Sequence, residues 1–315
     1  MNNRCLYCYQ ELGKDEKDFH PRCSRFFFGV DQPPALDYSL EQMGELAANV
    51  VQRSISVPGV QPKLSLWMVK DAMANGGAGR LTVVGALGGN YILKPPHADY
   101  PEMPENEHLT MRIAEAFGMP VVSHSLIRLT SGELAYITKR IDRTDDGGKI
   151  HMLDMFQVLE AFDKYKGSME KVGKVISLYA DNTLFDLLHF FELTVFSFLS
   201  GNNDMHLKNF SMITRDGRAW DLVPAYDLLN VAIVNPDDKE ELALTLDAKK
   251  SKFTRRHFES FGQKMGLSIR QIDGVFKRFF NSRESAMNLI DISFLSEDYK
   301  HKYKRLLEER YERLS

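Results

Sequence analysis

Three cysteines in 315 residues are too few, and odd in number, for a closed disulfide framework, and they suit a reducing compartment. Residues 1–10 show no charged segment followed by an apolar core, so the sequence gives no export signal there. Long hydrophobic runs are missing too. The most apolar stretch, Leu184 to Leu199, is broken by Asp186, His189 and Glu192 and falls short of the roughly 20 residues a membrane span needs. It reads as a buried helix, and the expected location is the cytoplasm, away from the membrane. Internal repeats and low-complexity segments are also absent. An excess of one charge sign is missing overall, the net being −3, yet the distribution is uneven. Residues 249–315 carry 16 Lys and Arg against 9 Asp and Glu, and the preceding residues 24 against 34.

What is there is a change of periodicity along the chain. Residues 1–34 form a module rich in Cys, Tyr and Phe, closed by Gly29 and Pro33-Pro34. An amphipathic helix is predicted over 36–52, and strands over 64–69, 81–84 and 91–93, with turn signals at Asn75-Gly76-Gly77 and Gly88-Gly89-Asn90. A helix over 105–117 ends at Gly118 and Pro120, and strands over 121–129 and 134–141 follow. After Gly147-Gly148 helices are predicted over 151–162, 168–180 and 183–200, then a short strand pair around Gly217, then helical periodicity from 253 to 313. The expectation is an α+β, bilobal chain with three parts: a cysteine-rich module over 1–34, a sheet lobe over 35–145 and a helical lobe over 146–315.

The sharpest local signal is Gly201-Asn202-Asn203-Asp204-Met205-His206-Leu207-Lys208-Asn209. Asp204 and Asn209 stand five apart in a polar loop after a buried helix. Phosphoryl transfer uses that pairing: an acid that orients the nucleophile's proton and an amide oxygen that helps hold Mg²⁺. Asp227, after a further strand, offers a second carboxylate. Each Asp alone reads more readily as an ordinary turn or cap residue. Upstream, Lys94 ends a strand ahead of Pro95-Pro96, and Glu107, on the helix of the sheet lobe, is placed to pair with it. A strand-end Lys is more often solvated, and Glu107 alone reads as support for its helix N-terminus. The order Lys, Glu, Asp-x4-Asn, Asp carries more weight than any member. The segment Ser54 to Lys63 contains neither G-x-G-x-x-G nor G-x-x-x-x-G-K-[ST] and by itself reads as a turn before a strand.

Together the blocks SISVPGVQPKLSL, YILKPP, NEHLTMRIAEAFGMPV, ITKRIDR, LDMFQ, FLSGNNDMHLKNFS and PAYDLL resemble the HipA family of serine/threonine kinases, toxins of bacterial toxin–antitoxin systems. The resemblance runs from about Ser54 to Asp227 and more loosely beyond. It implies a kinase-like fold with ATP and Mg²⁺ in a cleft, Asp204 as the catalytic acid, and Asn209 and Asp227 as Mg²⁺ ligands. His206 would order the catalytic loop. Lys94, supported by Glu107, would contact the nucleotide phosphates. Val57, Pro58, Gly59, Val60, Gln61 and Lys63 would belong to the loop closing over ATP, and Thr138 to Ile141, with Lys139, to the hinge that meets adenine. Ser56, with Ser54 as a secondary site, would be autophosphorylated, a charge of about −1.5 to −2 that would repel ATP and favour an ejected loop, with Arg53 or Lys63 pairing to it. The implied protein substrate is an aminoacyl-tRNA synthetase. The chain is similar to the short, split, HipT-like members. That similarity implies a separate small protein standing for the missing N-terminal subdomain, apolar sheet surface left for it to cover, and a helix-turn-helix antitoxin of HipB type. DNA would be met only indirectly.

Cys5-x2-Cys8 and His20-x2-Cys23 lie outside the resemblance and use every cysteine of the chain. Ligand pairs two residues apart suit tetrahedral Zn²⁺, although small buried hydrophobes and a turn at Pro21 account for the same residues. Phe26-Phe27-Phe28 reads as core packing. The basic tail reads most simply as the solvated face of helices with i,i+4 charge pairs, a DNA-facing role being the alternative. Two other functional readings stay open: a small-molecule phosphotransferase, and a catalytically silent kinase-fold binding module or co-repressor in an antitoxin–DNA complex.

Overall fold

A computed structural model describes residues 3–53, 63–69, 79–84 and 88–315. The chain divides into two compact units, Met1–His108 with Val122–Lys149 and Ile292–Phe294, and Leu109–Val121 with Ile150–Asp291 and Leu295–Ser315.

The first unit holds α1 (Pro21–Phe28), α2 (Leu40–Arg53) and an antiparallel sheet of β1 (Leu64–Val69), β2 (Arg80–Val84), β3 (Tyr91–Lys94), β4 (His124–Arg128) and β5 (Leu134–Lys139), in the order β2-β1-β3-β5-β4. The start of α3 (Met103–Ala116) belongs to this unit as well. Residues opposite one another in an antiparallel ladder share a face. The register Lys94↔Tyr136 and Leu126↔Tyr136 therefore sets Lys94, Tyr136 and Leu126 on one face, and Tyr91↔Lys139 sets Tyr91 and Lys139 on the other. Gly89 closes the turn before β3 with φ +79, and a side chain there would meet the Leu66 carbonyl oxygen at 2.4 Å, so only glycine fits.

The cysteine-rich segment clamps this sheet. The Leu6 carbonyl accepts from the Leu126 amide of edge strand β4 at 3.2 Å. Phe27 and Phe28 lie against Tyr91 on one face, and the Tyr9 hydroxyl meets His108 Nδ1 of α3 at 2.8 Å. Leu64, Leu66, Met68, Leu81 and Leu93 are accordingly buried, so the apolar sheet surface expected to lie uncovered is covered in the described residues. Phe26 departs from the expected core packing: it stands 69% exposed while Phe27 and Phe28 are buried.

The second unit is built on α6 (Thr183–Ser200), in which every residue from His189 to Ser200 is buried. A helix apolar all round belongs in an interior. It is long and apolar enough to cross a membrane, and 78% of it is buried inside the protein, the condition of a core helix. Around it lie α5 (Met169–Tyr179), the short α7 (Val231–Val234), α8 (Arg255–Lys264), α9 (Ile269–Asn281), α10 (Arg283–Ile292) and α11 (Glu297–Leu314). The helix expected over 151–162 is instead strand β6 (His151–Asp154) and a single turn, α4 (Met155–Val158). β6 pairs with β7 (Ser211–Thr214), which also pairs with β8 (Asp221–Leu222). The distant partner strand overrides local helical periodicity, and Asp154 then starts α4 with a reciprocal cap to Gln157. The basic tail carries the expected i,i+4 pairs, Arg255–Glu259 and Lys302–Asp298, on a largely solvated face, with an exception near its end. Arg310 and Arg313 both pair with Glu241 and stack on the ring of Phe198.

Candidate active site

In the helical unit, α6 ends at Gly201 with φ +72, its amide bonding back to Phe198 and Ser197. A side chain at 201 would meet Asn230 Oδ1 at 2.7 Å, so glycine is required where the chain turns out of the core. Asn203 is pinned by Asp238 at 3.1 Å and by the Glu240 carbonyl at 3.0 Å. The loop then folds on itself. The His206 amide donates to the Asp204 carbonyl at 2.8 Å, and the Asn209 side-chain amide donates to the same carbonyl at 3.1 Å. A 3-10 turn over Leu207–Asn209 leads directly into β7.

This geometry leaves the oxygens of the loop presented. Asn209 spends its nitrogen on Asp204, so its Oδ1 remains the acceptor end of a buried side chain. Burial pulls the His206 pKa down, while the charges of Asp204 and Asp227 oppose that shift. Both carboxylates therefore lie within electrostatic reach of one buried imidazole. Asp227, half-buried, follows the bridge of Ala225 to Val121 and has φ +60. The Asp227 carboxylate and the Asn209 amide oxygen are hard donors of the kind that fits Mg²⁺, and the Asp204 carboxylate remains beside them.

Sequence reasoning missed two aromatic contacts. The Tyr165 hydroxyl donates to Asp204 Oδ1 at 2.8 Å, and the Tyr226 hydroxyl donates to the Lys208 carbonyl at 2.9 Å and meets Ser211 Oγ at 2.7 Å. Tyr165 is 39 residues from its partner and sits in a segment without periodicity, so no local pattern marks it.

In the sheet unit, Lys94 Nζ meets Glu107 Oε1 at 2.6 Å, with both side chains at most 5% exposed. Lys94 also lies 5.4 Å over the ring of Tyr136. The pairing expected from the order of the two residues is thus present. The pKa of Glu105, two residues earlier on the helix, is pushed up to about 7 by burial. Lys139 ends β5 with its ammonium 6.0 Å from the ring of Phe27, and Ile141 follows in a half-buried turn. Lys63 is exposed just before β1. Ser54, Ser56, Val57, Pro58, Gly59, Val60 and Gln61 lie outside the described residues.

Also in this unit, Cys5, Cys8, His20 and Cys23 bring their ligand atoms within 4.8 Å of one another. His20 Nδ1 is 3.5 Å from Cys8 Sγ and 3.7 Å from Cys23 Sγ. Tetrahedral zinc, with bonds of about 2.0–2.3 Å, places neighbouring ligand atoms about 3.5–3.8 Å apart. His20 Nε2 donates to the Glu11 carbonyl at 3.0 Å, which fixes the tautomer and turns the Nδ1 lone pair toward the sulfurs. Hydrogen bonding with Cys8 pulls the Cys5 thiol pKa down, and the same contact pushes that of Cys8 up. The cluster fits Zn²⁺ in ligand type, spacing and support.

Residues 55–287 match the family model described as the HipA-like C-terminal domain. A Sinorhizobium fredii protein named "Putative kinase Y4dM" is 33% identical over 256 residues, which cover 76% of this chain and 59% of that protein. The "Serine/threonine-protein kinase toxin HipA" of Shewanella oneidensis is 27% identical over 61% of this chain and 47% of its own length. The chain thus spans about half the length of these relatives. The solved Shewanella oneidensis MR-1 HipA, in complex with HipB and its operator DNA, superposes with a TM-score of 0.67 at 21% identity, covering 82% of this chain and 65% of that one. The α+β fold, a sheet region followed by a helical region, is that of HipA.

Proposed function

The chain belongs to the HipA-like C-terminal domain family, and on that premise we propose that it is an ATP- and Mg²⁺-dependent protein serine/threonine kinase. The observation that carries the proposal is the Asp204–Asn209 loop, in which the Asn209 amide clasps the Asp204 carbonyl and leaves carboxylate and amide oxygens presented. Asp204 would accept or orient the proton of the attacking hydroxyl. Asn209 and Asp227 would hold Mg²⁺, which when bound neutralises charge on the nucleotide phosphates. Lys94, fixed by Glu107, would hold the phosphates, and His206 would brace the loop between Asp204 and Asp227. Residues 57–61 and Lys63 would cover ATP, with the hinge around Lys139 and Ile141 presenting main-chain groups to adenine.

The finer reading follows the relatives. The chain would act as a toxin in the cytoplasm, autophosphorylate at Ser56 and secondarily Ser54, and modify an aminoacyl-tRNA synthetase. Its partners would be a HipB-type helix-turn-helix antitoxin and a separate small protein standing for the missing subdomain. Residues 1–34 would be a zinc module ahead of a sheet lobe over 35–145 and a helical lobe over 146–315. Incubation with labelled Mg-ATP and bacterial lysate, with labelled proteins identified by mass, tests the reading. Wild-type chain should label a discrete protein set that Asp204→Asn leaves unlabelled; equal labelling by both would remove Asp204 from the chemistry.

A further inference from the structure

The Asp204 carboxylate receives one side-chain hydrogen bond among the described residues, from a residue that no motif contains. Tyr165 lies between α4 and α5, in a segment tied to the loop by the Leu207 amide, which donates to the Lys164 carbonyl at 3.1 Å. Its phenol donates to Asp204 Oδ1 at 2.8 Å. Its ring stands edge-on to His206 at 5.2 Å, and the Lys164 ammonium caps it at 4.8 Å. The phenol is thus held by the backbone on one side, by an imidazole on another and by a cation over its face. Burial, and then the Asp204 charge, push its pKa up, so it stays a proton donor at neutral pH.

A carboxylate turns about a broad, two-fold torsion, so nothing intrinsic selects which oxygen points where. One hydrogen bond to Oδ1 removes that freedom and leaves Oδ2 to meet a second hydroxyl. We propose that Tyr165 is a positioning residue for Asp204: it ties one carboxylate oxygen so that the other is aimed at the acceptor hydroxyl. The inference rests on the kinase reading of Asp204. Misalignment of a reacting group costs up to about 100-fold in rate, while nucleotide affinity, which depends on other residues, is untouched.

The test uses the full chain with Mg-ATP at varied concentration, reading phosphate incorporated into the chain itself by intact mass, for wild type, Tyr165→Phe and Asp204→Asn. The expected result for Tyr165→Phe is a maximal rate lowered about tenfold to 100-fold, with half-saturating ATP within twofold of wild type and an unchanged melting temperature. A Tyr165→Phe rate equal to wild type, where Asp204→Asn is inert, would overturn the inference and leave the kinase reading standing. A lowered rate accompanied by weaker ATP saturation or a lower melting temperature would also overturn it, since that marks general damage. Wild type that takes up no phosphate would overturn the kinase reading and this inference with it.

Discussion

The cysteine cluster and the Gly201–Asn209 loop are both polar sites held by backbone, and they differ in what they present. Cys5, Cys8, His20 and Cys23 bring their donor atoms within 4.8 Å of one another, with the far nitrogen of His20 already satisfied by Glu11. Such a set closes around a metal and leaves no position for a reactant. The loop presents hard oxygens of Asp204 and Asn209, joined in the reading by Asp227 after β8, with the Asn209 nitrogen and one Asp204 oxygen already engaged. Oxygen donors that leave coordination to water and phosphate suit an exchangeable Mg²⁺. One site is therefore read as part of the fold and the other as part of a reaction.

The largest effect that separates them is metal withdrawal. Protein purified without added metal should contain one zinc per chain, and stripping it with a strong chelator, or Cys5→Ser, should open residues 3–34 to hydrogen exchange and proteolysis. Structural zinc contributes about 10–16 kcal/mol of apparent binding energy in small zinc peptides. Removing Mg²⁺ alone should leave that protection intact. A zinc content far below one per chain would erase the distinction.

Next in size is the buried pair of the sheet unit. Lys94→Met strands Glu107 without its cation in the interior, and loss of one partner of such a pair costs about 3–5 kcal/mol. Chemical denaturation of this variant, set beside the double change Lys94→Met with Glu107→Leu, should show part of the loss recovered in the double variant. No recovery would mean the pair acts through packing rather than charge.

The two sites were also unequally legible in the sequence. The candidate zinc ligands fall within 19 residues of chain, so spacing alone exposed them. Lys94 and Glu107, thirteen apart, were found from strand and helix order. Asp204 and Asn209 share one loop. Tyr165, 39 residues upstream of Asp204, and Glu241, 72 residues from Arg313, meet their partners only through the packing of α6 and its neighbours, which periodicity does not encode. The same limit explains the strand over His151–Asp154: its partner β7 is some 60 residues away in sequence. The long helices α5, α6 and α11 needed no such information, because their apolar spacing and end signals are local.

A smaller effect probes paired groups within the helical unit. Burial works against the charged form of Glu241, but the Arg313 hydrogen bond and the charges of Arg310 and Arg313 outweigh it and hold the pKa below the ordinary value. A lowered folded pKa contributes stability that is present above the unfolded value of about 4.3 and lost as pH falls through the folded one. Glu241→Gln should therefore destabilise the chain at neutral pH and flatten the acid limb of its stability curve. An acid limb identical to wild type would show that the pair adds nothing there.

The contrast between a candidate structural metal site and a candidate reactive one turns on Asp204. The direct measurement sets Mg-ATP binding, by calorimetry, beside phosphate transfer, by mass, for wild type and Asp204→Gln. Binding should stay within a few-fold while transfer falls by at least the roughly 10²–10⁴-fold that a positioned acid–base group supplies. Transfer by Asp204→Gln at the wild-type rate would contradict the account.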